Sequence, residues 1–268
     1  MLFRSNAAAV APPRPTVHAP RLNEGEAPVI DGDISDAAWA KAAVLDTFFQ
    51  EEPNYGDPPS ERTVVRVAYD ANNLYVSVYA YDREPTRIIA TQKIRDGRLI
   101  NDDRVKIFLD PNKAGRDAYS FEVNALGGYT DALLQNNQDF FTNWNIIWYV
   151  KGRRVADGWT AEMAIPFRSL SFDPNKTEWG FDFMRMVKRR DERVRWAAGP
   201  IGNEENNLLY EGTLSGLSGL NQGLGLDVQA YAATRFKHQS AGTDDNDFTF
   251  APSGNIYYKV TQIGRAHV

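Results

Sequence analysis

Between Asp102 and Asp131 apolar side chains return at every second position, and this period constrains the fold class more than any other feature of the chain. Val105, Ile107 and Leu109 alternate with Lys106, Phe108 and Asp110, as in a strand with one buried face. Asp110-Pro111-Asn112 and Gly115 break the run with turn chemistry. Tyr119, Phe121 and Val123 then alternate with Ser120, Glu122 and Asn124, and Gly127-Gly128 leads into a third run, Tyr129 to Leu134. Short links between consecutive strands make a meander, the centre of an antiparallel sheet.

Similar runs flank it. Thr63 to Tyr69 and Leu74 to Tyr81 read as strands, as do Trp144 to Val150, Trp159 to Ile165, Trp179 to Val187, Val194 to Ala197 and Leu208 to Thr213. Leu74, Val76, Val78 and Ala80 face one way, with Tyr75, Ser77, Tyr79 and Tyr81 opposite, so both faces can be covered. The expected fold is all-β, an antiparallel, jelly-roll-like β-sandwich with a short N-terminal helix at Ala37–Ala43, capped by Ser35 or Asp36. Trp39 reads as a core anchor of that helix. The Ala- and Pro-rich residues 6–28 read as a linker, and Lys188 to Arg193 as a solvated charged tip. The long loop 83–101 is where binding is expected.

At 215–225 the composition changes abruptly, and beyond it Leu226, Val228, Ala230 and Ala232 alternate with Asp227, Gln229, Tyr231 and Ala233. A second run covers Asn255 to Val260, after the polar loop 238–247. Alternating segments joined by polar loops are the pattern of membrane barrels, so 215–262 reads as the first strands of one. Two strands cannot close a barrel, because lipid tolerates no open edge. The other reading makes them spare strands of the preceding domain. MLFRS and IGRAHV at the two ends read as translated adapter sequence, so that 1–20 is scar and linker and 263–268 is scar.

The motifs DDRVKIFLD at 102–110, YSFEVN at 119–124 and GGYTD at 127–131 resemble carbohydrate-binding family 9. IDGDISDAAWAKA at 30–42 and GWTAEMAIPFRSL at 158–170 fit the same family, and the resemblance spans roughly 21–214. Within it, the chain is most similar to the N-terminal domain of bacterial proteins that continue into an outer-membrane β-barrel. The resemblance implies an exported module, in the periplasm or at the cell surface, that binds a glycan or oligosaccharide and is associated with polysaccharide catabolism. It also implies a sugar ring held between tryptophans, aided by an acid and an arginine, and a structural calcium ion. Where the first Trp is expected the chain has Leu99-Ile100-Asn101, and Lys106 and Glu122 stand where the acid and the arginine are expected. The exchanged signs allow Lys106 and Glu122 to pair across neighbouring strands instead.

The ligand-binding candidates are Trp144, Trp148, Trp196, Arg95, Asp102, Lys106, Glu122 and Arg185, an aromatic face with polar side chains for hydroxyls. Asp103, Asp110 and Asp131 supply hard oxygens for calcium, without EF-hand spacing; no other cofactor is required. No catalytic residue is assigned. G-x-S-x-G, HExxH and P-loop motifs are absent, and His18, His238 and His267 fall outside the sandwich as delimited. A glycoside hydrolase would need two carboxylates at a set separation, which the sequence does not fix. The third reading is a docking module for the barrel with no sugar site. A net charge of −5 with scattered basic residues argues against nucleic acid, and the chain holds no cysteine for disulfides or thiolate chemistry. No run approaches about 18 apolar residues, which excludes a transmembrane helix.

Overall fold

The computed structural model describes residues 14–197, 199, 206–223, 226–239, 245–261 and 264–267. In chain order the first elements are β1 (Thr16–His18), α1 (Ala37–Lys41), β2 (Ala43–Leu45), β3 (Phe49–Glu52), β4 (Thr63–Tyr69) and β5 (Asn73–Tyr81). Next come β6 (Arg104–Asp110), β7 (Ala118–Asn124), β8 (Tyr129–Gln135) and β9 (Asp139–Phe141). The first unit finishes with β10 (Tyr149–Val155), β11 (Gly158–Pro166), β12 (Glu178–Val187), β13 (Glu192–Arg195) and β14 (Gly212–Ser215). Beyond these lie β15 (Leu226–Gln239), β16 (Asp245–Thr261) and β17 (Gly264–His267). The polypeptide divides into two units between Asn221 and Gln222.

The first unit is a β-sandwich. One sheet has nine strands, ordered β1-β14-β12-β6-β7-β8-β9, with β13 paired to β12 and β3 to β13; the other has five, β10-β11-β5-β4-β2. Period-two patterning decides which side chains meet between them. Val105, Ile107, Phe121, Val123, Phe181 and Phe183 from the larger sheet pack on Val65, Val67, Val76, Val78, Ala161 and Met163 of the smaller. The outer face of the larger sheet is covered too: Phe108 is fully buried against Ala118, Leu134 and Leu208.

The 30–42 motif has a structural explanation. Glu162, fully buried on the outer face of the smaller sheet, accepts from Gly32 N, Asp31 N and Trp39 Nε1, the last at 2.7 Å. Thr160 Oγ1 donates to Gly32 O, so the turn and α1 are pinned across the strand. Trp39 is buried as its sequence context indicates. Burial raises the Glu162 carboxyl above its ordinary pKa despite those donors. Glu162→Ala orphans three N–H groups and is expected to cost about 2–4 kcal/mol, read as a fall in the urea midpoint at unchanged slope.

Several local expectations change. The linker assigned to 6–28 contains β1, parallel to β14, and Leu22 N then bonds Tyr69 O in the other sheet. Val17 and Leu22 are buried, and His18 belongs to the sandwich, at its edge. Partners nearly 200 positions away create this strand, not local propensity. The helix ends at Lys41, and Asp36 at its N-cap makes no side-chain cap; its Oδ2 accepts from Val29 N instead. The strand expected at Trp144–Val150 begins at Tyr149, because Asp131 Oδ2 takes the Ile146 N–H out of any ladder.

The charged tip at Lys188–Arg193 is solvated at Arg190 and Asp191 as expected, but Arg189, Glu192 and Arg193 turn inward. Arg189 bridges Asp82 and Glu61 with 5% of its side chain exposed, and Arg193 meets Glu51 and Glu52. Here paired partners, not solvent, satisfy the charges.

The second unit is an antiparallel sheet of β15, β16 and β17 in which β15 and β16 stay in register from Leu226↔Tyr258 to Gln239↔Asp245. Tyr231, Phe248 and Phe250 are exposed on it. The run Asn255–Val260 therefore belongs to a longer strand that starts at Asp245. The terminal MLFRS lies outside the described residues, as does 240–244 of the polar loop, whereas 264–267 form a strand. No helix among the described residues is long and apolar enough to cross a membrane.

Candidate functional site

On the outer face of β6, β7 and β8, register sets Lys106 opposite Glu122 and Glu122 opposite Thr130. Arg104, two positions before Lys106, shares its face. Its guanidinium pairs with Glu122 Oε1, while Lys106 Nζ lies 3.9 Å from Oε2. Lys106 also lies over the rings of Phe108 and Phe140, at 5.7 and 5.5 Å. Arg104, Lys106, Glu122 and Thr130 floor a cavity of about 530 Å³. One wall is the segment 96–100; the other carries Thr142, Asn143 and Asn145. The lining offers charged, amide and hydroxyl groups with the apolar Leu99 and Ile100, suited to a small polyhydroxylated ligand.

Two buried carboxylates behind the cavity hold the walls. Asp102 accepts from Thr91 N and Oγ1, from Gln92 N and from Asn124 Nδ2 at 2.7 Å. Asn124 Nδ2 also bonds Gln92 O, and its Oδ1 accepts from Leu126 N and Gly128 N. A Cβ at Gly128 would stand 2.6 Å from Gln92 O, so the turn tolerates no side chain there. The DD, VN and GG positions are thus one latch that fixes the loop before β6.

Asp131 does the same for the second wall. It accepts from Ile146 N at 2.8 Å, Trp148 Nε1 at 3.1 Å and Arg95 Nη2 at 2.7 Å. Burial raises its pKa, and those three donors act against the rise.

The structure brings Lys106 and Glu122 together in the cavity and sends the other candidates elsewhere. Trp148 packs edge-on to Phe121 and Tyr129, and Trp196 packs edge-on to Phe181; both are buried. Trp144 is half-buried and stacks on Tyr119, with centroids 5.1 Å apart. Asp102 is buried in the latch, and Arg95 is tied to Asp131. Arg185, 1% exposed, donates to the Arg62 and Tyr81 carbonyls and to Thr63 Oγ1; burial lowers its pKa to about 10. Arg104, Thr130, Asn143 and Asn145 were not singled out from sequence, although the alternation that selects Lys106 also selects Arg104.

Asp103, Asp110 and Asp131 do not form one ligand set for calcium. Asp103 and Asp110 sit at opposite ends of β6, roughly 20 Å apart at the rise of a strand. Each already accepts main-chain N–H groups: Ile89 and Lys188 for Asp103, and Asn112, Ala114 and Gly115 for Asp110. Among the described residues no cluster of three or more acidic, His or Cys side chains is arranged to hold a metal ion.

The first unit is thus an all-β sandwich with a polar cavity over its meander face. Residues 30–207 match the family described as carbohydrate family 9 binding domain-like, and the chain belongs to that family. Among solved structures it resembles a carbohydrate-binding module family 9 from Caldicellulosiruptor kristjanssonii in complex with glucose, at 21% identity and a TM-score of 0.55, covering 75% of this chain and 95% of that one. The same source in complex with cellotriose matches at 21% identity and a TM-score of 0.50, over 77% and 95% of the two chains. A protein from Bacteroides uniformis matches at 15% identity and a TM-score of 0.59, over 75% and 98%. Comparison with curated proteins returns no match.

Proposed function

We propose that the chain is a non-catalytic saccharide-binding module whose ligand occupies the cavity above Arg104, Lys106 and Glu122. The observation that carries this reading is the cavity itself: it lies on the strands that bear the family's motifs, and its floor and walls supply hydroxyl-binding groups on three sides. The fold neighbours in complex with glucose and cellotriose support the same ligand class. Charged side chains fix hydroxyls here, and Ile100 offers an apolar face to a ring.

Isothermal titration against mono- and oligosaccharides tests the reading, and flat traces throughout would end it. Glu122→Ala removes a charged acceptor from the floor. It is expected to weaken the best ligand on the order of tenfold to a hundredfold, as loss of a charged hydrogen bond does. Unchanged affinity in that variant would move the ligand out of this cavity.

The module acts outside the cytoplasm in this proposal, in the periplasm or at the cell surface, in front of an outer-membrane barrel of the same natural chain and in the service of polysaccharide catabolism. The long β15–β16 hairpin, with Tyr231, Phe248 and Phe250 exposed, supports that placement. Fractionation of cells that express the natural gene checks it; recovery in the cytosol would sink it.

Two observations favour a second reading, a docking module without a sugar site. Trp148 and Trp196 are buried, and Glu122 is already engaged by Arg104. The titration separates the two, because a pure docking module binds none of the saccharides.

A further inference from the structure

We propose that Arg95 is a positioning residue that ties the two walls of the cavity together and so sets its width. This inference rests on the saccharide reading above. Arg95 directly precedes the first wall, 96–100, and the adjoining backbone is fixed because Asp96 N bonds Tyr129 O at 2.8 Å. Its Nη2 reaches Asp131 Oδ1 at 2.7 Å and the carbonyl of Ile146 at 2.9 Å. Ile146 directly follows Asn145 of the second wall, and its own N–H returns to Asp131 Oδ2 at 2.8 Å. One guanidinium therefore holds one wall by its own backbone and the other by a carbonyl, with Asp131 on β8 as the shared anchor.

Packing keeps the guanidinium in place. It lies over the Tyr129 ring at 5.6 Å, and Tyr129 meets Trp148 edge-on at 5.2 Å. Trp148 Nε1 completes the donors on Asp131. Both bonds leave Nη2, whose two N–H groups reach two acceptors at once while the planar guanidinium lies over the Tyr129 ring, a stacking that a lysine ammonium does not reproduce. Arg95 and Trp148, both expected at a ligand, thus act behind the walls. A cavity between two loops has no rigid width of its own, and whatever joins the loops decides which ligand fits.

The test uses the full chain with Arg95→Ala and Arg95→Lys, and reads two quantities. Hydrogen exchange at amides of 97–100 and 142–145 is expected to rise in both walls of Arg95→Ala. Titration with glucose and cellotriose is expected to show about a tenfold loss of affinity, with a changed ratio between the two sugars, because each 1.4 kcal/mol is tenfold. Arg95→Lys is expected to recover part of both effects. Truncation leaves the buried Asp131 with Ile146 N and Trp148 Nε1 as donors, and a melting curve checks that the variant is folded.

Exchange unchanged in either wall would overturn the clamp. Exchange that rises while affinities and their ratio stay within about twofold would overturn the control of width and leave saccharide binding standing. Flat titrations in the unsubstituted protein would remove the saccharide reading and the control of width with it, and exchange would then decide the clamp alone.

Discussion

Asp182→Ala is expected to destabilise the sandwich by about 3 kcal/mol, enough to bring the unfolding midpoint in urea down sharply. Asp182 and Arg195 form an ion pair in which each side chain is 1% exposed. Asp182 Oδ1 also accepts from Phe183 N at 2.7 Å and Ala197 N at 3.1 Å. Burial first, against the pull of Arg195, raises the Asp182 pKa to about 6, so the pair gains little net stability from being charged. The loss in the variant comes instead from what remains: a guanidinium in the interior with its nearest carboxylate gone. Replacing both partners, as Asp182→Leu with Arg195→Met, is expected to cost less than the single change. The pair Lys113–Glu178, with 39% and 54% side-chain exposure, serves as the contrast. Glu178→Ala there should shift stability by less than about 0.5 kcal/mol. If the single and double replacements cost the same, orphaning of Arg195 is not the cause.

A fall of stability from pH 5 to pH 9 is the second large effect expected. Glu211 is buried beside Asp110, and burial, reinforced by that neighbouring carboxylate, raises its pKa from 4.5 to about 9. The folded chain therefore holds a proton that the unfolded chain gives up near 4.5. Stability is fully present below the unfolded value and drains away as pH climbs through the folded one, on the order of a few kcal/mol in total. Asp182, raised to about 6, adds to the slope at the acidic end of this range, and Asp103, Asp131 and Glu162 are shifted in the same direction. Thermal melts across this range should show a declining midpoint, and Glu211→Gln, neutral at every pH, should decline less steeply. A flat profile in both proteins, or one that rises with pH, would contradict the assignment.

Much of the sandwich was legible because its signal is local. Val105, Ile107 and Leu109 announce an inner face, and Leu74 to Ala80 announces another, without reference to anything far away. The pinning of the 30–42 turn was half legible: Trp39 reads as an anchor, but that it hangs on Glu162 does not follow from spacing. What escaped is what distant partners decide. Arg189 and Arg193 look as solvated as Arg190 and Asp191 beside them until Glu51, Glu61 and Asp82 are brought to them. Trp148 and Trp196 have the composition of sugar platforms, yet Asp131 and Phe181, which bury them, are positioned by sheet topology. Parity along β6 and β7 puts Lys106 and Glu122 on one face, as the register does. The pairing of loops 96–100 and 142–145 was not legible, since it runs through Asp131 on β8 and Arg95.

The parallel pairing of Thr16–His18 with Gly212–Ser215 has a mechanical consequence. The polypeptide enters at one end of this pair and leaves at the other, with Thr213 N bonded to Pro15 O at the entry and Ala19 N to Ser215 O at the exit. Tension applied along the backbone from both sides would slide the two strands past each other, so that their hydrogen bonds bear the load together instead of opening in succession. A domain pulled through the segments on its two sides would hold its shape longer for this reason than one whose first and last strands ran in opposite directions.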